Sequence, residues 1–203
     1  MDILPESGLK FDEDIHAYTL RGLRLPSVTQ IMRPMSLMLY SGVDSPTLME
    51  AANRGTRAHE QIEAIVKYGV VEYDDDTKPY IEAFKAFETM YQPAWVSSEY
   101  RTFHKALRYA GTIDLIGYVT PDDGNGVDVI DVKTTASFHP VMLSTQVSAY
   151  AEALKSHGVK VRNLYGLQVT RNAKFRFEKL EDGFKTFLHC MGVYNAMASE
   201  LSK

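Results

Sequence analysis

The sequence predicts a mixed α/β fold, a central mixed β-sheet flanked by helices with an N-terminal hairpin and helices before it. Three observations predict it. Three apolar, alternating segments, Trp95 to Phe103, Ala106 to Val119 and Val127 to Lys133, follow one another with only turns between them. A helical pattern from Pro140 to His157 then leads to a fourth such segment, Val161 to Val169, so the central order is strand, strand, strand, helix, strand. Helical periodicity both precedes and follows this block.

Each element has a local reason. Lys10-Phe11-Asp12 and Ala17-Tyr18-Thr19-Leu20, continuing through Arg21-Gly22, read as a small hairpin. Pro26-Ser27-Val28-Thr29 reads as a helix entry, with Ser27 as N-cap ahead of Val28, Ile31 and Met32. From Ser45-Pro46 to Gly69 the pattern is helical: Ser45 can cap, Pro46 suits the first turn, and Leu48, Ala51, Ala58, Ile62 and Ile65 recur at helical spacing. Gly55 is expected to kink this stretch or divide it into two helices. Beyond the polar Asp74-Asp75-Asp76, read as a solvated loop, a helix over 78–91 carries Ile81, Phe84 and Phe87. The turn-rich Pro121-Asp122-Asp123-Gly124-Asn125-Gly126 joins the second and third strands as a hairpin loop. The helix after Lys133 carries Met142, Val147, Tyr150 and Leu154, Phe175 and Phe177 extend the sheet, and 181–201 closes the chain as a helix.

At 203 residues the chain is expected to be one domain. Its composition, 45% hydrophobic and 24% charged, is that of an ordinary globular protein. The formal net charge of −4 does not by itself point to a polyanion partner, although substrate contacts can be a local basic patch. Cys190 is the one cysteine, which excludes intrachain disulfides and a cysteine-built zinc or iron–sulfur site. There is no GxxxxGK[ST] loop and hence no P-loop nucleotide site, and no nucleotide cofactor is expected. No signal segment or long apolar run is seen, so the chain reads as cytoplasmic, with no membrane partner.

The chemistry concentrates in Gly111-Thr112-Ile113-Asp114-Leu115-Ile116-Gly117 and Val129-Ile130-Asp131-Val132-Lys133-Thr134. Strand alternation puts Asp131 and Lys133 on one face, and the connection between the two strands can bring Asp114 to them. Two carboxylates and an ammonium gathered in a sheet are costly unless something uses them. A divalent cation beside a lysine that orients or deprotonates a water would use all three. His59, in Arg54-Gly55-Thr56-Arg57-Ala58-His59-Glu60-Gln61-Ile62-Glu63, lacks the second histidine of a zinc-protease HExxH helix but can complete an oxygen-rich metal site, with Glu60 or Glu63 nearby. Gln146 and Tyr150 lie four apart and share a helix face. Glu99 is a further acid on the preceding strand.

In this order these segments resemble the PD-(D/E)XK nuclease superfamily, specifically its RecB-like exonuclease branch. The residues that carry the resemblance are RGTRAHE with His59, GTIDLIG with Asp114, DVIDVKTT with Asp131 and Lys133, and Gln146-x-x-x-Tyr150, spanning about residues 54–150. The N-terminal Phe11-Asp12, His16-x-Tyr18 and Leu25-Pro26-Ser27-Val28-Thr29 are similar to the opening of phage-encoded members. Ile113-Asp114 stands where the superfamily's name has Pro-Asp. The resemblance implies a restriction-endonuclease-like core over 46–203 with 1–45 as an N-terminal elaboration. It implies Mg²⁺ or Mn²⁺ held by His59, Asp114, Asp131 and the Val132 carbonyl, with Glu99 a further candidate ligand. Lys133 would position or activate the attacking water, and Gln146 and Tyr150 would support the site. No iron–sulfur cluster is expected, since Cys190 stands alone. The implied partner is DNA at single- or double-stranded ends, with a recombination or single-strand annealing protein as a further partner, in a bacterial or phage-infected cell. Phosphate contacts are expected from Arg54, Arg57, Arg101, Lys105, Arg108, Arg171, Lys174, Arg176 and Lys179. A metal-dependent DNA exonuclease leads; an endonuclease on the same fold and a non-catalytic nucleic-acid-binding protein are the alternatives.

Overall fold

A computed structural model describes residues 4–40, 45–70, 72–119 and 124–201. The central sheet has five strands in the order β4 (Ala94–Phe103), β5 (Ala110–Tyr118), β6 (Val127–Lys133), β7 (Val161–Val169) and β8 (Phe175–Lys179). All neighbours pair antiparallel except β6 and β7, which are parallel. A parallel pair needs a crossover, and α5 (Pro140–Ser156) supplies it. The architecture is therefore the mixed α/β sheet, helix-flanked, that the element order predicts.

Helices cover both faces, so the sheet divides two apolar cores. One core packs Val127 and Val129 of β6 against α5, α1 (Val28–Ile31) and α6 (Phe184–Leu201), through Val147, Leu154, Ile31 and Phe187. The other packs Ile130 and Val132 against α3 (Ser45–Tyr68) and α4 (Lys78–Tyr91), through Ile62, Ile81, Phe84 and Phe87. Burial on both faces explains why β6 reads as nearly continuous apolar sequence. Among the described residues, no helix is long and apolar enough to cross a membrane.

The N-terminus departs from the predicted hairpin. It is a three-stranded antiparallel sheet of β1 (Leu9–Asp12), β2 (Ala17–Leu20) and β3 (Leu23–Leu25), because the chain turns again at Gly22, φ 82°, to add the third strand. Its apolar face closes over Phe103 and Ala110 at the end of the main sheet. Ser27 caps α1 as predicted, accepting from the Gln30 amide at 3.0 Å while the Gln30 side chain accepts from the Ser27 amide at 3.0 Å. A second helix, α2 (Arg33–Tyr40), follows where none was expected.

Helix α3 runs unbroken through Gly55, so the expected kink or division is absent. The glycine answers a different need: a Cβ there would stand 3.0 Å from Thr134 Oγ1, so α3 passes unusually close to the end of β6. The expected strand from Ala106 begins only at Ala110, because His104 Nδ1 accepts from the Ala106 and Leu107 amides and closes a turn. The closing helix starts at Phe184 rather than 181, with Asp182 accepting from the Phe184 amide. Residues 121–123 of the expected hairpin loop, and the side chains of Ser45 and Leu48, lie outside those described.

Candidate metal centre

The site is a fork in the sheet. Strands β5 and β6 pair at Gly117 with Asp128, Ile116 with Val129 and Leu115 with Ile130, and there the ladder ends. The next residues in that register are Asp114 and Asp131. The Val132 amide, left without a strand partner on that side, donates to Asp114 Oδ2 at 2.6 Å. A carboxylate thus replaces the missing carbonyl and holds the fork open.

Asp131 and Lys133 share a face, as alternation requires, and Lys133 Nζ stands 2.7 Å from Asp131 Oδ2. The same ammonium donates to Gln146 Oε1 at 3.2 Å, and Gln146 Nε2 donates to Tyr150 Oη at 3.0 Å. Helix α5 delivers both residues as it crosses back over the sheet. Gly111 makes room for them: a Cβ there would fall 2.5 Å from the Tyr150 ring.

His59, one turn after Gly55 on α3, enters from the other side. Its Nδ1 lies 3.7 Å from Asp114 Oδ1 and 3.7 Å from Glu99 Oε1. His59, Glu99 and Asp114 each offer one ligand atom, all within 4.8 Å of one another. Glu99 is in the left-handed region, φ 48°, directly across from Asp114 in the β4–β5 register. Strand β5 is irregular at the same level, since Ile113 and Leu115, two residues apart, pack into opposite cores. Non-glycine residues in this conformation cost roughly 1–2 kcal/mol each, and such strain gathers at functional sites. Glu63 lies one turn from His59 but is ion-paired with Lys67 instead.

Three carboxylates, Glu99, Asp114 and Asp131, share this site with Lys133 and His59. Asp131 is 1% exposed, and neither of its oxygens accepts a hydrogen bond of ordinary geometry; Lys133 meets it as an ion pair. Burial pushes the Asp131 carboxyl up to about 6, with Asp114 adding to the rise and Lys133 opposing it. Asp114 is also raised, by burial first, with His59 pulling down and Glu99 pushing up. Burial works to lower His59, but Asp114 and Glu99 outweigh it and carry the imidazole up to about 9. Burial sends the Tyr150 phenol well above its ordinary range. A group of acids that can be ionised together only at such cost could hold a cation.

Two connected cavities meet here. A cleft of about 1900 Å³ runs past His59, Glu99 and Asp114 between α3, the N-terminal sheet and the loop after β6. A smaller pocket of about 230 Å³ beside it reaches Asp131, Lys133, Gln146 and Tyr150. The cleft exceeds the ~300–1,000 Å³ typical of small-molecule sites.

The candidate cations divide. Arg54, Arg101, Arg171 and Lys174 line the cleft. Arg54 faces Asp76 at 4.0 Å and Arg101 faces Glu13 at 3.6 Å, whereas Arg171 and Lys174 in the β7–β8 turn have no ion-pair partner among the described residues. Arg57 turns away to Asp74 and Asp76, at 2.9 and 2.6 Å, which also makes that acidic loop more than a solvated stretch. Lys105 and Arg108 sit in the β4–β5 turn and Arg176 pairs with Glu178 over the Phe138 ring; none of the three, nor Lys179, lines the cleft. Sequence reasoning missed Thr112, whose hydroxyl meets Tyr18 Oη at 2.8 Å, and Thr134. Thr112 was findable, two residues before Asp114 on a strand; the meeting with Tyr18 was not.

No family model matches the chain, and no curated protein does. Among solved structures it is similar to an alkaline exonuclease, LHK-Exo, from Laribacter hongkongensis, with a TM-score of 0.44 and 9% identity over 72% of this chain and 79% of that one. The same enzyme in complex with dAMP gives a TM-score of 0.46 and 8% identity over 88% of this chain and 90% of that one.

Proposed function

We propose that this protein is a Mg²⁺- or Mn²⁺-dependent deoxyribonuclease, an exonuclease of the RecB-like PD-(D/E)XK branch acting in recombination, repair or phage DNA processing. The observation that carries the chemistry is the fork: Asp114 and Asp131 where β5 and β6 part, with Lys133 beside them and His59 and Glu99 facing them. The residues suit a divalent ion, since Asp131 keeps two buried oxygens without ordinary hydrogen bonds and the donor set is carboxylate with one imidazole. His59, Glu99, Asp114 and Asp131 would hold it, with the Val132 carbonyl as a further ligand. A bound divalent ion supplies acidity to a water and positive charge to the phosphoryl oxygens.

The chain's own groups do the rest. Lys133, steadied between Asp131 and Gln146, presents its ammonium to the phosphoryl oxygen where negative charge develops. Tyr150 holds Gln146, and so fixes the lysine's direction at one remove. The Asp114–Val132 hydrogen bond keeps the two carboxylates at a set spacing. Arg171 and Lys174 give the strand a basic rim across the cleft.

The test is digestion of end-labelled single- and double-stranded DNA and of a covalently closed circle, with Mg²⁺, Mn²⁺ or EDTA. Linear DNA should be shortened from an end, with metal only, and the circle should survive. Cleavage of the circle would make the protein an endonuclease on the same fold. Full activity in both Asp114→Asn and Lys133→Ala would place the chemistry elsewhere.

A further inference from the structure

The geometry points to the β1–β2 turn as a stacking platform for an unpaired nucleobase, with His16 and Phe11 as its surface. This rests on the nuclease reading and deepens it, since a base-stacking surface beside the metal centre selects single-stranded or frayed nucleic-acid ends. His16 lines both the large cleft and the smaller pocket that holds Asp131 and Lys133. Its backbone is left-handed, φ 47°, a conformation that glycine adopts without strain. Among the described non-glycine residues with positive φ, His16 and Glu99 line the cleft, whereas Arg21 and Arg108 take that conformation at turns away from it.

The turn keeps an exposed imidazole there and braces it with rings. Phe11 meets His16 edge to face at 5.0 Å and 87°, and Tyr18 meets it at 6.2 Å and 80°. Phe11 and Tyr18 stand 4.5 Å apart, and the Arg101 guanidinium lies 5.3 Å from the Phe11 ring centre. Tyr18 is in turn tied to Thr112, two residues from Asp114, so the rings are anchored to the strand that carries the metal centre. Aromatic side chains with an arginine beside them, across the cleft from a basic rim, are what unpaired bases and their phosphates recognise; a base stacked inside a duplex has no free face to offer.

The test compares wild type with His16→Gly and His16→Asn, both suited to the left-handed turn. Substrates are a short single-stranded oligonucleotide, the same oligonucleotide with abasic residues at its two terminal positions, and versions carrying terminal 2-aminopurine. Wild type should quench 2-aminopurine fluorescence. Both variants should raise KM for the normal strand about five- to tenfold with little change in kcat, and should match wild type on the abasic strand. Their Tm should be equal or higher, since the turn is relieved. Equal losses on normal and abasic strands would mean a phosphate contact and overturn the proposal, as would no loss at all. If wild type quenches 2-aminopurine but hydrolyses nothing with Mg²⁺ or Mn²⁺, the nuclease reading fails and the platform stands.

Discussion

Replacing Asp131 by asparagine should stabilise the metal-free protein at alkaline pH while destroying its activity. The carboxyl titrates near 6 in the fold against an ordinary value of 3.8, with burial the main cause. A carboxyl raised on folding is stabilised in its protonated form: that contribution is complete below 3.8 and is lost as the pH rises through about 6. At about 1.4 kcal/mol for each factor of ten, the buried charge costs about 3 kcal/mol at pH 8. Asparagine has the same shape without the charge. It also removes the ion pair with Lys133, but that side chain keeps its hydrogen bond to Gln146 and is 24% exposed, so the net gain should be about 1–3 kcal/mol. The assay is urea unfolding in EDTA at pH 4 and pH 8, repeated with Mg²⁺ or Mn²⁺. In EDTA the variant's advantage should be near zero at pH 4 and greatest at pH 8. With metal the wild type alone should gain about 2.7 kcal/mol at a hundredfold excess over its Kd, enough to cancel or reverse the variant's advantage, because binding favours the carboxylate. DNA cleavage by the variant should fall at least a hundredfold throughout. A variant that is less stable than wild type in EDTA by the same amount at both pH values would refute the reasoning. Asp131 would then be an ordinary structural partner of Lys133.

Further outcomes follow from contacts already described. Asp114→Ala should abolish cleavage and, by removing the acceptor for the buried Val132 amide, cost about 1–3 kcal/mol in urea unfolding. Gly55→Ala should leave Tm unchanged or raised, since alanine favours helix by about 1 kcal/mol, yet slow cleavage by pushing α3 and His59 off Thr134; unchanged cleavage would show the approach to be incidental. Gly111→Ala should destabilise by about 1–3 kcal/mol and weaken the Gln146–Tyr150 arrangement, read as a lower Tm together with a lower kcat. Arg171→Ala and Lys174→Ala should each weaken DNA binding and reduce the slope of log affinity against log salt by about 1. Arg57→Ala, whose charge is spent on Asp74 and Asp76, should leave that slope alone.

Much of the sheet is legible in the chain because alternation and turn residues are local signals. The pairing of Asp131 with Lys133 on one face needs nothing beyond the two-residue period of a strand, and Gln146 with Tyr150 nothing beyond the helical turn. The N-terminal sheet was legible only as a hairpin, because three residues, Leu23–Leu25, are too few to show a period. Helix α2 was hidden because it is only eight residues long and follows α1 with no capping residue at its start. Gly55 misled because a glycine in a helix looks the same in sequence whether it breaks the helix or lets a neighbour approach. Among the basic residues, Arg54 and Arg57 are equally plausible on paper, and their helical positions send one into the cleft and the other to the Asp74–Asp76 loop.

The chain on its own therefore settles which residues share a strand face or a helix turn, since those relations depend on backbone geometry over a few residues. Three things needed the folded molecule. The fork that sets Asp114 opposite Asp131 depends on where two strands stop pairing. The recruitment of Glu99 depends on a left-handed residue that no pattern announces. The approach of His16 and Tyr18 to the site depends on a sheet more than ninety residues upstream of Thr112 folding over it. Each is a long-range contact whose closure is decided by packing, and packing is a property of the whole chain at once.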